Sequence, residues 1–542
     1  MARSAIRTNS SPSTDIKGPA SRASPKEPNL IEKATSPRDA FDHTASIEDG
    51  AVLDNATLDP VYEAKARVLN HAIQDIGMGW YQWQLFVVVG FGWANDNLWP
   101  IVTSLILPSI INEFHPSRAP YLPLAQNVGL LFGAMFWGFG CDVYGRRWAF
   151  NLTLGVTAVF GLIAASANSF AAIGCFVAFW SFGVGGNLPV DSALFLEFLP
   201  GSHQYLLTLL SILWALAQLL ATAVAWPILA NFSCQESQES CKREDNMGWR
   251  YFVMTMGGIS FVLFLVRFLV FTVYESPKYL MGKGRDEEAV EVVLEVARRN
   301  GKVSDLTLHD LRACEDQLGA TQQTNPSAAL RRRFEKLSFT HIRALFATRK
   351  LGLSTGLIMA TWGFIGLAYP LYNSFLPYLQ VLKGAELGDG DTSTTYRNSC
   401  IIAAAGVPGV ALGTALIQIP NFGRRGALGL FTCLTGTFLY GTTTALTSNS
   451  LLGWNCAFNF CSNIMFAVLY GYTPEIFPTK DRGTGNALTA TSNRIFGIMA
   501  PVIAMFANLE TSVPVYTSGA LFIVAGLLVV VLPFESQGKA SL

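Results

Sequence analysis

Charged residues are scarce in this sequence. Asp, Glu, Lys and Arg make up 14% of its 542 residues, well below the roughly 25% of a soluble domain. Lys and Arg number 38, as do Asp and Glu, so the chain has no net charge and lacks the basic surplus of nucleic-acid-binding proteins. The sequence also has no G-x-x-x-x-G-K-[ST] phosphate loop, no H-E-x-x-H and no cysteine cluster with metal-ligand spacing. We therefore expect neither an enzyme nor a nucleic-acid-binding protein, and neither a cofactor nor a metal.

Apolar residues, in contrast, are abundant at 51% of the chain. A helix of about 20 apolar residues crosses the roughly 30 Å of hydrocarbon in a bilayer. Twelve such stretches occur, six before a polar interval and six after it: 83–111, 122–141, 148–167, 170–198, 204–230, 250–273, 351–380, 398–419, 426–446, 450–473, 484–508 and 514–533. Pro370 and Pro377 predict a break in the seventh stretch. We expect an all-α membrane protein with twelve transmembrane helices.

The polar segments define the domain organisation. Residues 1–79 are rich in Ser, Pro, Lys and Asp and predict a disordered N-terminal tail, with a short surface helix at 61–79. Two six-helix bundles, 80–274 and 351–534, flank a central loop at 275–350, and a short tail follows at 535–542. The central loop has the highest density of Lys and Arg, and positive loops stay in the cytoplasm. An even number of spans then places both termini on the cytoplasmic side.

The loop at 231–249 is expected on the opposite side of the membrane. It contains the glycosylation sequon N-F-S at Asn231 together with Cys234 and Cys241. The two cysteines form either a disulfide or two free thiols. The sequons at Asn55 and Asn151 lie on the cytoplasmic side and should stay unmodified.

Two loop motifs occur once in each half of the chain. "GFGCDVYGRR" (138–147) has its counterpart in "NFGRRGALG" (421–429), and "LEFLPGSHQ" (196–204) has its counterpart in "TPEIFPTKDRGTG" (473–485). Motifs repeated at equivalent loops of two six-span halves indicate a duplicated transporter with pseudo-symmetric bundles. Their charged residues at span ends are candidates for a cytoplasmic gate: Asp142, Arg146, Arg147, Glu197, Arg424, Arg425, Glu475 and Arg482.

These motifs, with "YESPKYLMGKGRDEEAV" (274–290), resemble those of the major facilitator superfamily and its sugar-porter branch. "GVGGNLPVD" (183–191) is most similar to the synaptic-vesicle-protein-two-related transporters. The resemblance implies two six-helix halves that rock around a central site, often with proton coupling. The seventh span reads "YPLYNSFLP" and lacks the paired glutamines that resemble a hexose site in sugar carriers.

Acidic residues inside the spans are the candidates for proton coupling. Asp96 lies 13 residues after Trp83, about 20 Å into the membrane at 1.5 Å per residue. Intramembrane carboxylates are costly and mark ion or substrate pathways. The alternative for Asp96 is a protonated structural acid that is hydrogen-bonded to its neighbours. Asp191 belongs to the cavity, to the cytoplasmic gate or to plain packing. Asn95 and Asn187 accompany the two acids.

Candidate solute contacts come from the second half. Tyr369, Tyr372 and Asn373 lie beside the predicted break in the seventh span, and Arg494 is an intramembrane cation in the eleventh. Arg494 is either a gate residue or the partner of an anionic substrate.

The sequence favours a secondary active transporter of a small organic solute, with protons and the lipid bilayer as its further partners, acting as a monomer in the plasma membrane or an internal vesicle membrane. A facilitative sugar carrier is one alternative. A transporter-like receptor or vesicle protein without transport is the other.

Overall fold

The structure is a computed structural model that describes residues 60–203, 205–234, 241–317, 342–343, 345–387, 391–416, 423–477, 482–507 and 511–533. All of these belong to one compact unit, Ala56–Leu542. The side chains of two predicted gate residues, Asp142 and Arg482, and the sequon at Asn55 lie outside the described part.

In the described part of the chain, twelve long helices correspond to the twelve predicted spans, with boundaries that differ by up to eight residues. We number them α1 Trp80–Phe114, α2 Tyr121–Tyr144, α3 Arg146–Ile163, α4 Phe170–Phe198, α5 Ile212–Phe232, α6 Gly248–Leu265, α7 Arg349–Asn373, α8 Thr392–Leu416, α9 Gly423–Thr443, α10 Ser448–Ile476, α11 Arg482–Phe506 and α12 Val513–Val530. Among the described residues, nine helices are long and apolar enough to cross a membrane by length and composition. The other three of the twelve, α8, α9 and α11, are the second-half counterparts of α2, α3 and α5, which do meet that measure.

The seventh span is broken as its prolines predicted. Helix α7 contains Pro370 and ends at Asn373, and a second helix, Leu376–Glu386, begins three residues later. Equivalent helices of the two halves also begin with the same kind of capping residue. The Ser169 side chain accepts a hydrogen bond from the third residue of α4, and the Thr447 side chain does the same at the start of α10, satisfying one of the free N–H groups at each helix start.

Helix contacts repeat between the two halves. Helices α2 and α4, α3 and α6, and α1 and α5 pack together in the first half, and α8 and α10, α9 and α12, and α7 and α11 pack together in the second. The contacts between the halves follow the same symmetry, because α2 packs on α11 while α5 packs on α8. The packing therefore has the pseudo-two-fold character that the repeated motifs predicted.

The two ends of the helix bundle differ in how the halves join. We call the end with the repeated loop motifs the motif end, and the end with Cys234 and Cys241 the disulfide end. One core cluster at the motif end contains residues of the first half and the surface helices only, and another cluster contains residues of the second half only. A third cluster towards the disulfide end combines residues of both halves, including Leu105, Trp249, Leu371 and Tyr396. A small fourth cluster, Ala215 with Val410 and Ala467, also joins the halves, so the larger of the two shared cores lies at the disulfide end.

Three surface helices at the motif end form what we call the cap: Pro60–Ile76, Asp286–Arg299 and Leu308–Gln317. The first of them confirms the surface helix predicted at 61–79. Lys65, only 4% exposed, joins the three helices through ion pairs with Asp286 and Glu315. Asn300 attaches the cap to α1, because its amide accepts a hydrogen bond from the Tyr81 backbone and donates one to Gln82.

The disulfide end contains a buried polar cluster. Cys234 and Cys241 form a disulfide, which decides the open choice between a bond and two thiols. Glu113 at the end of α1 accepts hydrogen bonds from Arg250 and from the indole N–H of Trp249, at 2.6 and 2.8 Å. Asn246 donates to the Ser109 carbonyl. These contacts join α1 to the start of α6, where a buried charge pair needs such additional hydrogen bonds.

Candidate functional site

An ion pair inside the membrane connects the two halves. Asp96, in the middle of α1, lies 3.7 Å from the guanidinium of Arg494 in α11. The Asp96 side chain is 13% exposed and that of Arg494 is 23% exposed, but the Asp96 oxygen nearest Arg494 is itself buried and has no hydrogen-bond partner among the described residues. The sequence had indicated the two residues separately, and the structure brings them together.

A second ion pair lies within the first half. Asp191 of α4 pairs with Arg267, just beyond α6, and neither side chain is exposed. The Arg267 guanidinium also lies 3.1 Å from the centre of the Phe150 ring. Gly92 of α1 faces this pair, and a Cβ atom there would collide with the Asp191 carboxylate. The glycine thus allows α1 to approach the acid closely, as glycine at such contacts does.

Sequence reasoning missed Arg267. It stands in "FLVRFLV" near the end of the sixth span and resembles a span-end cation. An arginine within an apolar run needs a partner of opposite charge. Because Asp191 is also an intramembrane charge without an assigned partner, this requirement could have predicted that the two residues pair.

The two predicted asparagines have different surroundings. The Asn95 side chain accepts hydrogen bonds from Trp99 and Ser260 at 3.0 and 2.7 Å and donates to the Phe91 carbonyl at 2.8 Å. It therefore holds α1 against α6. Asn187 is fully buried, and neither of its side-chain polar atoms has a hydrogen-bond partner among the described residues. It lies one helical turn from Asp191, on the same face of α4.

The candidates near the break in the seventh span lie towards the disulfide end. The Tyr372 hydroxyl donates to Asn455 of α10 at 2.6 Å, and the Tyr369 ring packs edge-on against Phe466 at 5.0 Å. The Asn373 carbonyl accepts a hydrogen bond from Ser104 of α1 at 2.9 Å, which is a contact between the halves. None of these contacts is with Asp96 or Arg494.

The gate residues of the first half meet at the motif end. Arg146 pairs with Glu197, which connects α3 to the end of α4. The backbone N–H groups of Arg146 and Arg147 donate to Glu275, the nearer at 2.8 Å. A carboxylate at a helix N-terminus is favourable there. Burial raises the pKa of Glu275, and the backbone hydrogen bonds from Ser276 and the two arginines oppose this increase. Glu275 belongs to the quoted motif at 274–290, but its helix-capping role was not predicted.

The second half repeats part of this arrangement. Arg424 pairs with Glu475, which connects α9 to the end of α10. Arg425 donates to the carbonyl of Leu532, beyond α12, at 2.7 Å. Among the described residues, the ion pairs of these motif loops each stay within one half.

Comparison with known proteins agrees with this architecture. The family model of the Major Facilitator Superfamily matches residues 84–501. The chain is 52% identical to the MFS siderochrome iron transporter 1 of Ceriporiopsis subvermispora (strain B), over 94% of this chain and 96% of that protein. It is 24% identical to the synaptic vesicle 2-related protein of Xenopus laevis, over 91% of this chain and 85% of that protein, which confirms the predicted likeness to that branch.

Among solved structures, the inward-open xylose transporter XylE from E. coli matches with a TM-score of 0.63 at 16% identity, over 85% of this chain and 98% of that one. This similarity shows the fold. The helices, the repeated loops and the family match together establish a multi-pass integral membrane transporter, and the protein belongs to the Major Facilitator Superfamily.

Proposed function

We propose that this protein is a proton-coupled secondary transporter of a small organic solute, with Asp96 as the proton-coupling carboxylate. The observation that supports this most is the 3.7 Å contact of Asp96 with Arg494. It joins a helix of the first half to a helix of the second, at the middle of α1.

The mechanism follows from the cost of an unpaired charge in an apolar environment. When the halves rock during alternating access, α1 and α11 move relative to each other. Asp96 then loses its cationic partner, and binding a proton removes the cost of the isolated carboxylate. Return of Arg494 favours release of that proton. Proton binding is thus linked to the change between the two open states.

Orientation is part of the proposal. The motif end and both termini lie on the cytoplasmic side, and the disulfide end with Asn231 lies outside or in a lumen. The Lys and Arg residues around the motif loops support this choice. The membrane is the plasma membrane or that of an internal vesicle.

The 52% identical relative is a siderochrome iron transporter by name, which makes a siderochrome-bound iron complex a specific candidate solute. A ferric siderochrome therefore belongs in the solute panel used to test the function. A facilitative sugar carrier remains a second candidate because the XylE structure shares the fold. Xylose in the same panel tests that alternative.

The test is transport by the purified protein in liposomes. We expect an imposed pH gradient to drive accumulation of solute by the wild-type protein. Asp96→Asn should lose this accumulation while still exchanging solute between two loaded sides, since exchange needs no net proton movement. Glu288→Gln is the matched control, because it neutralises an exposed carboxylate in the cap.

Three results would contradict the proposal. Continued proton-driven accumulation by Asp96→Asn would make Asp96 a structural acid. Equilibration of xylose across the membrane at a rate and extent that the pH gradient does not change would favour a sugar carrier. Absence of movement of every solute would favour a receptor.

A further inference from the structure

A row of four aromatic rings crosses the boundary between the two halves. Trp93 of α1 stacks on Trp214 of α5 with ring centres 5.3 Å apart, and Tyr470 of α10 packs edge-on against Trp362 of α7 at 4.8 Å. Trp214 meets Tyr470 at 4.6 Å with an interplanar angle of 71°. Each half therefore contributes two rings, and the Trp214–Tyr470 contact connects them.

This row lies at the level of the Asp96–Arg494 pair. Asn97, the residue after Asp96, donates a hydrogen bond to the Trp214 carbonyl at 2.9 Å. Tyr470 is within electrostatic range of both Asp96 and Arg494. The ring contact and the carboxylate–guanidinium contact are thus neighbouring links between the same two halves.

Both links must separate when the halves rock, and each then exposes a surface of defined chemistry. Trp214 and Tyr470 expose ring faces and edges, which favour another aromatic ring in a stacked or edge-on arrangement. Arg494 exposes a guanidinium, whose planar fork suits a carboxylate. One molecule that contains a ring and a carboxylate replaces both broken links.

We propose that the transported solute is an aromatic monocarboxylate, which binds with its ring between Trp214 and Tyr470 and its carboxylate on Arg494 in place of Asp96. This inference rests on the proposed function and specifies its substrate class. Protonation of Asp96 frees Arg494 for the solute, so the solute and the proton bind in the same state.

Two further donors face this region. The indole N–H groups of Trp93 and Trp214 are buried and have no hydrogen-bond partner among the described residues. Buried donors normally have partners. A ring nitrogen or hydroxyl substituent on the solute provides an acceptor for one of them.

Equilibrium binding to the purified full-length protein in detergent tests the substrate class without any gradient. The probes are benzoate, cyclohexanecarboxylate and benzamide. Cyclohexanecarboxylate keeps the charge and approximate size of benzoate but has no π system, and benzamide keeps the ring without the charge. We expect benzoate to bind at least about ten-fold more tightly than either, since a factor of ten corresponds to the loss of one such contact.

Variants assign the contacts. Trp214→Leu, Tyr470→Leu and Arg494→Gln should each weaken benzoate binding at least about ten-fold. Trp214→Phe and Tyr470→Phe keep an aromatic ring at each position and should retain most of the benzoate affinity. This result would separate loss of the ring contact from misfolding. Trp148→Leu removes an exposed tryptophan of α3 away from the row and should bind as the wild type does.

Two outcomes would overturn the inference: cyclohexanecarboxylate binding as tightly as benzoate, or unchanged benzoate binding by Trp214→Leu. Its failure is distinguishable from that of the proposed function. If benzoate binds but a pH gradient does not drive its uptake, proton coupling is wrong and the substrate class is supported. If gradient-driven uptake occurs for another solute while no ring carboxylate binds, the substrate class alone is wrong.

Discussion

At the residue scale, two acids in neighbouring helices differ in burial and in the helices that they connect. Each has its own arginine, so the ionised pairs add no net charge to the membrane interior, which reduces the cost of burying them. The Asp191–Arg267 pair is fully buried, whereas the Asp96 and Arg494 side chains are partly exposed. Only the second pair also links the two halves. Asp96 therefore suits a change of charge that accompanies movement of the halves, and Asp191 suits a stabilising role beside α1.

Substitution of Arg267 tests that stabilising role. Arg267→Met should lower the free energy of unfolding by about 3–5 kcal/mol, because it leaves the Asp191 carboxylate buried without a partner. Adding Asp191→Asn removes the isolated charge, so the double variant should be more stable than Arg267→Met alone. Thermal unfolding of detergent-solubilised protein measures both. Arg285→Met is the control, since its exposed ion pair with Glu288 contributes about 1 kcal/mol or less.

If the double variant unfolds at or below the temperature of Arg267→Met, the charge pair is not what stabilises this contact. A loss of stability in Arg285→Met as large as that in Arg267→Met would also contradict a specific role for the buried pair.

The sequence identified the charged residues but not their partners. Asp96 and Arg494 stand out because carboxylates and guanidiniums are rare within apolar spans. Their contact joins residues that are far apart in the chain, and it depends on how α1 and α11 pack, which composition and periodicity do not specify. The aromatic residues of the proposed solute site were even harder to select, because tryptophans at span positions usually belong to a core or an interface belt.

At the element scale, the cap is attached to the first half. Asn300 accepts a hydrogen bond from the Tyr81 backbone at the start of α1. The Lys302 ammonium donates to the Ile76 carbonyl at the end of helix Pro60–Ile76, at 2.5 Å. The Tyr81 ring of α1 packs against Phe198, the last residue of α4, and against Phe271, which follows α6. All three belong to the same core cluster as the buried residues of the cap. The cap therefore extends the first half, and its helices should move with α1.

Lys65 should control whether the N-terminal helix of the cap stays docked. Lys65→Met leaves Asp286 and Glu315 without their shared cation, and we expect faster backbone hydrogen exchange across Pro60–Ile76. Arg312→Met is the matched control, because it removes a cap ion pair whose side chains are 61% and 77% exposed and which should contribute little. Equal exchange in the two variants would contradict a special role for Lys65.

The same contact predicts a pH dependence. Burial works to lower the pKa of Lys65, but the hydrogen bonds to Asp286 and Glu315 outweigh it, so its pKa is raised above the ordinary 10.5. A raised pKa in the folded state means that the stabilisation is complete below pH 10.5 and is lost as pH rises through the raised value. Hydrogen exchange of the helix should therefore stay slow through neutral pH, after correction for the intrinsic rate, and increase only in strong alkali.

At the scale of the whole molecule, the repeated motifs predicted the two halves and the packing confirms them. The motifs did not predict at which end of the helix bundle the two halves are in closer contact. Ser104 and Tyr396 form hydrogen bonds between α1 and the second half near the disulfide end, whereas the motif-loop pairs Arg146–Glu197 and Arg424–Glu475 stay within one half each. A transporter sequence encodes at least two such arrangements, so no single one follows from it.

Glycosylation tests the orientation of the whole molecule. The Asn231 side chain is exposed at the end of α5, beside the disulfide, whereas Asn151 is 5% exposed within α3. Protein made in a secretory pathway should therefore have glycan on Asn231 only, and Asn231→Gln should abolish the mass shift on glycosidase digestion. Glycan on Asn151, or no mass shift in the wild-type protein, would contradict the proposed orientation.

Access to Asp96 should differ between the two ends. The shared core that contains Leu105, Leu371 and Tyr396 closes the disulfide end, while the Asp96 side chain is 13% exposed. We therefore expect the new thiol of Asp96→Cys to react with a membrane-impermeant maleimide at different rates from the two sides. Labelling should be at least about ten times faster when the reagent is added on the motif side than when it is added on the disulfide side. Vesicles of known, opposite orientation allow each addition, and the wild-type protein measures the background from its own cysteines.

Ser104→Cys is the matched control on the same helix, because Ser104 is 4% exposed and lies at the contact between the halves, and it should react slowly from both sides. Faster labelling of the cysteine at position 96 from the disulfide side would mean that the shared core does not form the closed gate, since the reagent would have to pass through it.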